Sequence, residues 1–184
     1  MQKFFFLLAT ILLLGGTVNA QKYFTREGKV TFISEAPIEK IEAVNQSATA
    51  VLDTESNRIE FAILIKAFQF EKALMQEHFN ENYMESSTFP KATFKGQIDA
   101  ATKVNWGKDG SYPVTVSGDM MIHGITQKLT APGTITVKEG TITAQSTFTV
   151  AVADYGIEIP SVVAENIAKE VTVAVDVQLA QLNK

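Results

Sequence analysis

Two histidines, His78 and His123, are the only imidazoles in the 184-residue chain. His78 stands in "LMQEHFNENYMES", residues 74–86, together with Glu77, Glu81 and Glu85. An imidazole among carboxylates could ligate a metal or move a proton, so chemistry is looked for here first. A metal site needs a second imidazole or a converging carboxylate, and the segment has no His-x-x-x-His spacing. The three glutamates recur every four residues, which on a helix makes a solvent-facing row. His123 follows Ile122 in a strand pattern and is expected on the opposite, outer face. A metal shared by the two histidines is therefore not expected, and no cofactor is. His78 is expected to flank a helix's apolar stripe and to hydrogen-bond nearby backbone.

Nucleophilic catalysis finds little support. No cysteine occurs, which excludes a thiolate nucleophile, Cys-ligated zinc, a lipidated N-terminal cysteine and disulfides. No Gly-x-Ser-x-Gly elbow surrounds any serine. Asp154 beside Tyr155 could exchange a proton, but "DYG" reads first as a turn at a strand end. Asn45-Gln46-Ser47 forms a glycosylation sequon that composition alone can produce. The chain is not expected to be an enzyme. A hydrolase or metal-binding role through His78 is the alternative of that class.

Charge excludes a further class. Sixteen Lys and Arg stand against twenty Asp and Glu, for a net charge of −4, and the basic residues are scattered. Nucleic-acid binding needs clustered Lys and Arg, and a phosphate clamp needs more arginine than Arg26 and Arg58 provide. The N-terminus has the charged, apolar, small-residue order of a secretory signal, in "MQK", "FFFLLATILLL" and "TVNA". Its eleven-residue apolar run is shorter than the roughly 20 residues of a membrane-spanning helix. Cleavage after Ala20 is expected, giving a periplasmic or secreted protein of residues 21–184 with no transmembrane segment.

What must position any site is a run of alternating strands. "RIEFAILIK" places Ile59, Phe61, Ile63 and Ile65 on one face, and "YPVTVSGDMMIHG" does the same with Val114, Val116, Met120 and Ile122. "TITAQSTFTVAV" and "EVTVAVDVQLA" line up Ile142, Ala144, Phe148 and Val150, and Val171, Val173, Val175, Val177 and Leu179. Turn signals lie at 53–57, 106–113, 131–133 ("APG") and 138–140. Adding "GKVTFIS", "QSATAVLD", "KATFKGQID" and the segment at 126–137 gives about eight strands in one all-β domain, a meandering antiparallel barrel or a sandwich. One short helix interrupts them near residues 71–80, with Leu74, Met75 and Phe79 as its packing face. A weaker helical turn is expected at 161–169.

Three blocks, in order, resemble the YceI-like family. "MQEHFNENYMESSTFPKATFKG" is similar to the family's His-containing helix, aromatic–proline strand start and glycine. "VSGDMMIHGITQKLTAP" is similar to its glycine hairpin, through Gly118, Gly124 and Thr126. "FTVAVADYGIEIP" is similar to its Asp-aromatic-Gly segment. The N-terminal stretch "YFTREGKVTFISEAPIEKIEAVN" lacks the Trp and the His that the family usually carries there. The resemblance implies a single lipocalin-like barrel that binds an apolar lipid, polyisoprenoid or fatty-acyl, for transport or storage.

An eight-stranded barrel is just wide enough to fill with side chains or to hold one small ligand, and the residues alone leave both open. The resemblance favours a cavity. Its expected lining is Phe61, Ile63, Ile65, Phe94, Val116, Met120, Ile122, Phe148 and Val173, with Met75 and Phe79 from the helix. A packed structural or interaction barrel without ligand is the alternative, and a homodimer is compatible with either.

Overall fold

The structure, a computed structural model, describes residues 21–182. The expected signal segment, 1–20, lies outside the described residues. Nine strands follow in chain order: β1 (Lys22–Glu35), β2 (Lys40–Asp53), β3 (Arg58–Leu64), β4 (Gln69–Phe70), β5 (Lys91–Ile98), β6 (Gly110–Ile122), β7 (Ile125–Lys138), β8 (Thr141–Ala151) and β9 (Glu170–Gln181). Eight of them close antiparallel in the order β1-β9-β8-β7-β6-β5-β3-β2, and β1 pairs back to β2. The barrel alternative is thus the one adopted. β4 is a two-residue strand that adds only to Ala43 and Val44 of β2.

The expected helix runs over Ala73–His78 (α1) and continues through a π-helical turn, Phe79–Tyr83. The turn at 161–169 reduces to a 3₁₀ turn at Ser161–Val163. "APG" at 131–133 is not a turn. Those residues lie inside β7, which pairs with β6 without a break from Ile125 to Val137.

The two ends of the barrel differ. At the end where β2 turns into β3 and β7 into β8, Leu52, Ile98, Ile135, Ile142 and Leu179 are fully buried and pack into one solid cluster. Burying such a side chain is worth about 1.5–3 kcal/mol each, so this end is the fold's anchor. The other end carries α1, the β6–β7 hairpin and the irregular stretch between β8 and β9.

β2 reaches both ends only by switching faces. Ala43 and Asn45 are buried before the switch, and Ala48, Ala50 and Leu52 after it. The register moves from Val30↔Asn45 to Gly28↔Ala48, a β-bulge with one extra residue on β2. Asn45, the last paired residue before the bulge, is fully buried and satisfied there. Its amide donates to Leu64 O at 2.9 Å, and its carbonyl accepts from Ser47 N at 2.8 Å. The sequon asparagine is therefore a structural pin.

β7 and β8 part company halfway. Their pairing runs from Lys138↔Thr141 to Gly133↔Ser146 and stops, while residues 125–132 pair only with β6 and 147–151 only with β9. Ser146 Oγ donates to Pro132 O at 2.6 Å, so the Pro132 carbonyl faces β8. In an antiparallel strand the N–H and C=O of one residue face the same neighbour. The proline nitrogen therefore faces β8 without a proton to donate, and the ladder ends there.

Candidate functional site

At the helix end the barrel is hollow. A chamber of about 280 Å³ opens there, with almost wholly apolar walls. Below it a second chamber of about 80 Å³ lies against the solid cluster. Val30, Ile63, Met120 and Val173 line both.

All eleven residues singled out from sequence border one chamber or both. Ile63, Ile65, Met75, Phe79, Met120, Ile122 and Val173 line the upper one, and Phe61, Phe94, Val116 and Phe148 the lower. Ile65 does so from a 3₁₀ turn, Ile65–Ala67, just past the end of β3. Sequence reading missed Phe32, Phe68 and Phe70, and also the wall formed by Ile157, Ile159, Val163 and Ile167. The alternation of Ile157 and Ile159 in "GIEIP" was a usable signal. Phe32 was legible from its alternation with Val30 in "GKVTFIS", whereas Phe68 and Phe70 lie beyond the strand run "RIEFAILIK" and carried no such signal.

Those phenylalanines seat the helix. Phe79 stacks on Phe32 with centroids 5.4 Å apart, and its ring lies 4.9 Å from Phe70 and 5.7 Å from Phe68. Aromatic pairs at such separations add about 0.5–1.5 kcal/mol each beyond their buried area. Phe79 opens the π turn, in which Met84 N donates to Phe79 O at 2.9 Å. Gln76 Oε1 accepts from Phe70 N at 3.2 Å, tying α1 to β4. Met75 and Phe79 are therefore the helix's inward residues. Leu74 is not: it is 60% exposed, because one position around a helix turns a side chain by about 100°.

His78 is exposed and sits on the rim of the upper chamber. The expected hydrogen bond to backbone is not found among the described residues. His123 departs further from expectation. With φ of 51° at His123 and 75° at Gly124 it forms the two-residue turn between Ile122 and Ile125, and a turn residue does not follow strand alternation. Its side chain is only 12% exposed. Nδ1 lies 3.1 Å from Tyr155 O, and because a carbonyl can only accept, Nδ1 carries the proton. Nε2 faces Glu85 Oε1 at 3.5 Å without a hydrogen bond, and the ring packs edge-on against Phe89. Glu77 and Glu81 are exposed as expected, whereas Glu85 has left the helix with φ of 41°.

Tyr155 belongs to a 3₁₀ turn, Val152–Tyr155, that ends on left-handed Gly156. This is the strand-end turn read from "DYG". Burial pushes the Tyr155 phenol up, and the neighbouring charge of Asp154 adds to the shift, so it stays neutral. The same turn bridges the top of the fork, with Gln127 Nε2 donating to Asp154 O at 2.8 Å. Between that bridge and Gly133, the fork is flanked by Leu129 and Phe148, both lining the lower chamber. Among the described residues no group of three His, Asp or Glu converges as a metal site.

The comparisons agree with this architecture. A polyisoprenoid binding domain from Saccharophagus degradans, implicated in plant cell wall breakdown, superposes with a TM-score of 0.73 at 14% identity over 89% of this chain and 99% of that one. Burkholderia cenocepacia BcnA gives 0.66 at 20% identity over 83% and 96%. The Campylobacter jejuni YCEI protein gives 0.58 at 14% identity over 75% and 81%. No curated protein matches the sequence significantly. At these identities the structural likeness establishes the fold alone. The sequence itself matches the YceI-like domain over residues 18–179, nearly its whole length, and the chain belongs to that family.

Proposed function

We propose that this protein is an exported, non-enzymatic carrier that holds one apolar chain, isoprenoid or fatty-acyl, inside its barrel. The observation that carries this reading is the upper chamber, a hollow of about 280 Å³ with apolar walls beneath a helix that reaches into it. A chain transferred from water into such walls gains about 0.8 kcal/mol per CH₂, so a ligand of ten or more carbons binds without any polar contact. Met75 and Phe79 cover the chain from the helix side. His78 and Tyr83 stand among the residues bordering the chamber and suit a ligand's polar end. The likeness to a polyisoprenoid binding domain supports the ligand class, and the signal-like residues 1–20 support a periplasmic or secreted location.

The test is uptake of an environment-sensitive fatty-acyl probe by organic-extracted, refolded protein. Saturable binding near one probe per chain is expected. Phe148→Asp places an unpaired charge against a dry wall and should weaken uptake at least tenfold or prevent folding. Folded wild-type protein that takes up neither this probe nor a fluorescent isoprenoid would instead be a packed structural barrel.

A further inference from the structure

We propose that Met120 sets the length of chain the barrel accepts, by closing the passage between the two chambers. This rests on the carrier reading above and adds to it a residue that determines specificity. The passage is ringed by Val30 of β1, Val173 of β9, Ile63 of β3 and Met120 of β6, which line both chambers. In the strand order these positions are distributed around the barrel, and β1 and β6 lie diametrically opposite each other. Three of the four side chains are β-branched and stiff at χ1. Met120 is unbranched, with a thioether that adapts to irregular gaps, so it is the member of the ring suited to plug the passage. It is also only 6% exposed, held over the cluster below.

The chamber volumes give the ruler its scale. A protein cavity of about 150 Å³ holds benzene, six carbons. By that proportion the 280 Å³ upper chamber takes about eleven carbons, and the 80 Å³ lower chamber about three more. With Met120 in place, affinity should rise about fourfold per CH₂ and level off near eleven carbons. Longer chains leave their surplus at the mouth and gain nothing from it.

The experiment measures displacement of the fatty-acyl probe by saturated fatty acids of about eight to eighteen carbons and by isoprenols of two to four units. Met120→Ala should move the plateau about three carbons longer. Adding Ala131→Leu, which refills the lower chamber, should return it. Val173→Ala opens the ring from the β9 side and reads the same effect if Met120→Ala does not fold. A plateau that stays at the wild-type length in a folded ring variant overturns the proposal and leaves the carrier reading standing. Failure of every chain to displace probe from wild-type protein would overturn both.

Discussion

Gly118 shows how much of this barrel hangs on single atoms. It stands directly across from Gly96 in the β5–β6 pairing, and a Cβ there would collide with the Lys95 carbonyl and with Gly96 Cα. On Gly96 itself lies the ring of Phe94, which covers the backbone that a side chain would otherwise shield. The two glycines thus leave no room for a side chain between the paired strands. Gly118→Ala is expected to destabilise by about 3 kcal/mol, as at other sites where backbone leaves no room. Urea melts followed by circular dichroism would read it, and a change under about 0.5 kcal/mol would mean that the wall yields. The sequence singled out both glycines through family-like blocks, Gly118 in the hairpin and Gly96 at the end of "KATFKG", but not that they face each other across the strands. His123 was harder to place. Its residue type suggested chemistry and its position suggested an outward strand residue, whereas two consecutive left-handed residues make it a turn.

Among the elements, the fork between β7 and β8 is the least like a regular barrel. "APG" was legible as an interruption, but its nature was not. Turn statistics convert Pro-Gly into a chain reversal, while here the chain runs straight on and only the hydrogen bonding to one neighbour stops. Proline explains that directly, since it removes a donor without changing the strand's path. The consequence is measurable by hydrogen exchange. Alternate amides of 126–131 and 147–150, on the facing edges, should exchange faster than those of the paired stretches 134–138 and 142–145. Equal protection on both sides of Gly133 would show that β7 and β8 zip together in solution. The helix was easier. It was expected near residues 71–80 and runs over Ala73–His78 and on to Tyr83, and of its expected packing face Leu74, Met75 and Phe79 only Leu74 turns outward.

For the molecule as a whole, the question left open by alternation was whether the barrel is filled or hollow. It is both, at opposite ends. The same period-two pattern gives Ile142 and Leu179 to a solid cluster and Val150 and Val171 to a cavity wall. Alternation reports which face points inward, not how much space lies beyond it. That depends on side-chain volumes meeting across the barrel from strands far apart in sequence, and on a bulge at Asn45 that no local pattern announces. The cavity is the physical ground for a carrier. Its most direct test is native mass spectrometry of the protein purified from an exporting host, before and after extraction with organic solvent. An apolar mass of one ligand per chain, which extraction removes and added lipid restores, is expected. A single ligand-free mass throughout, with no adduct after incubation with fatty acids and isoprenols, would contradict it.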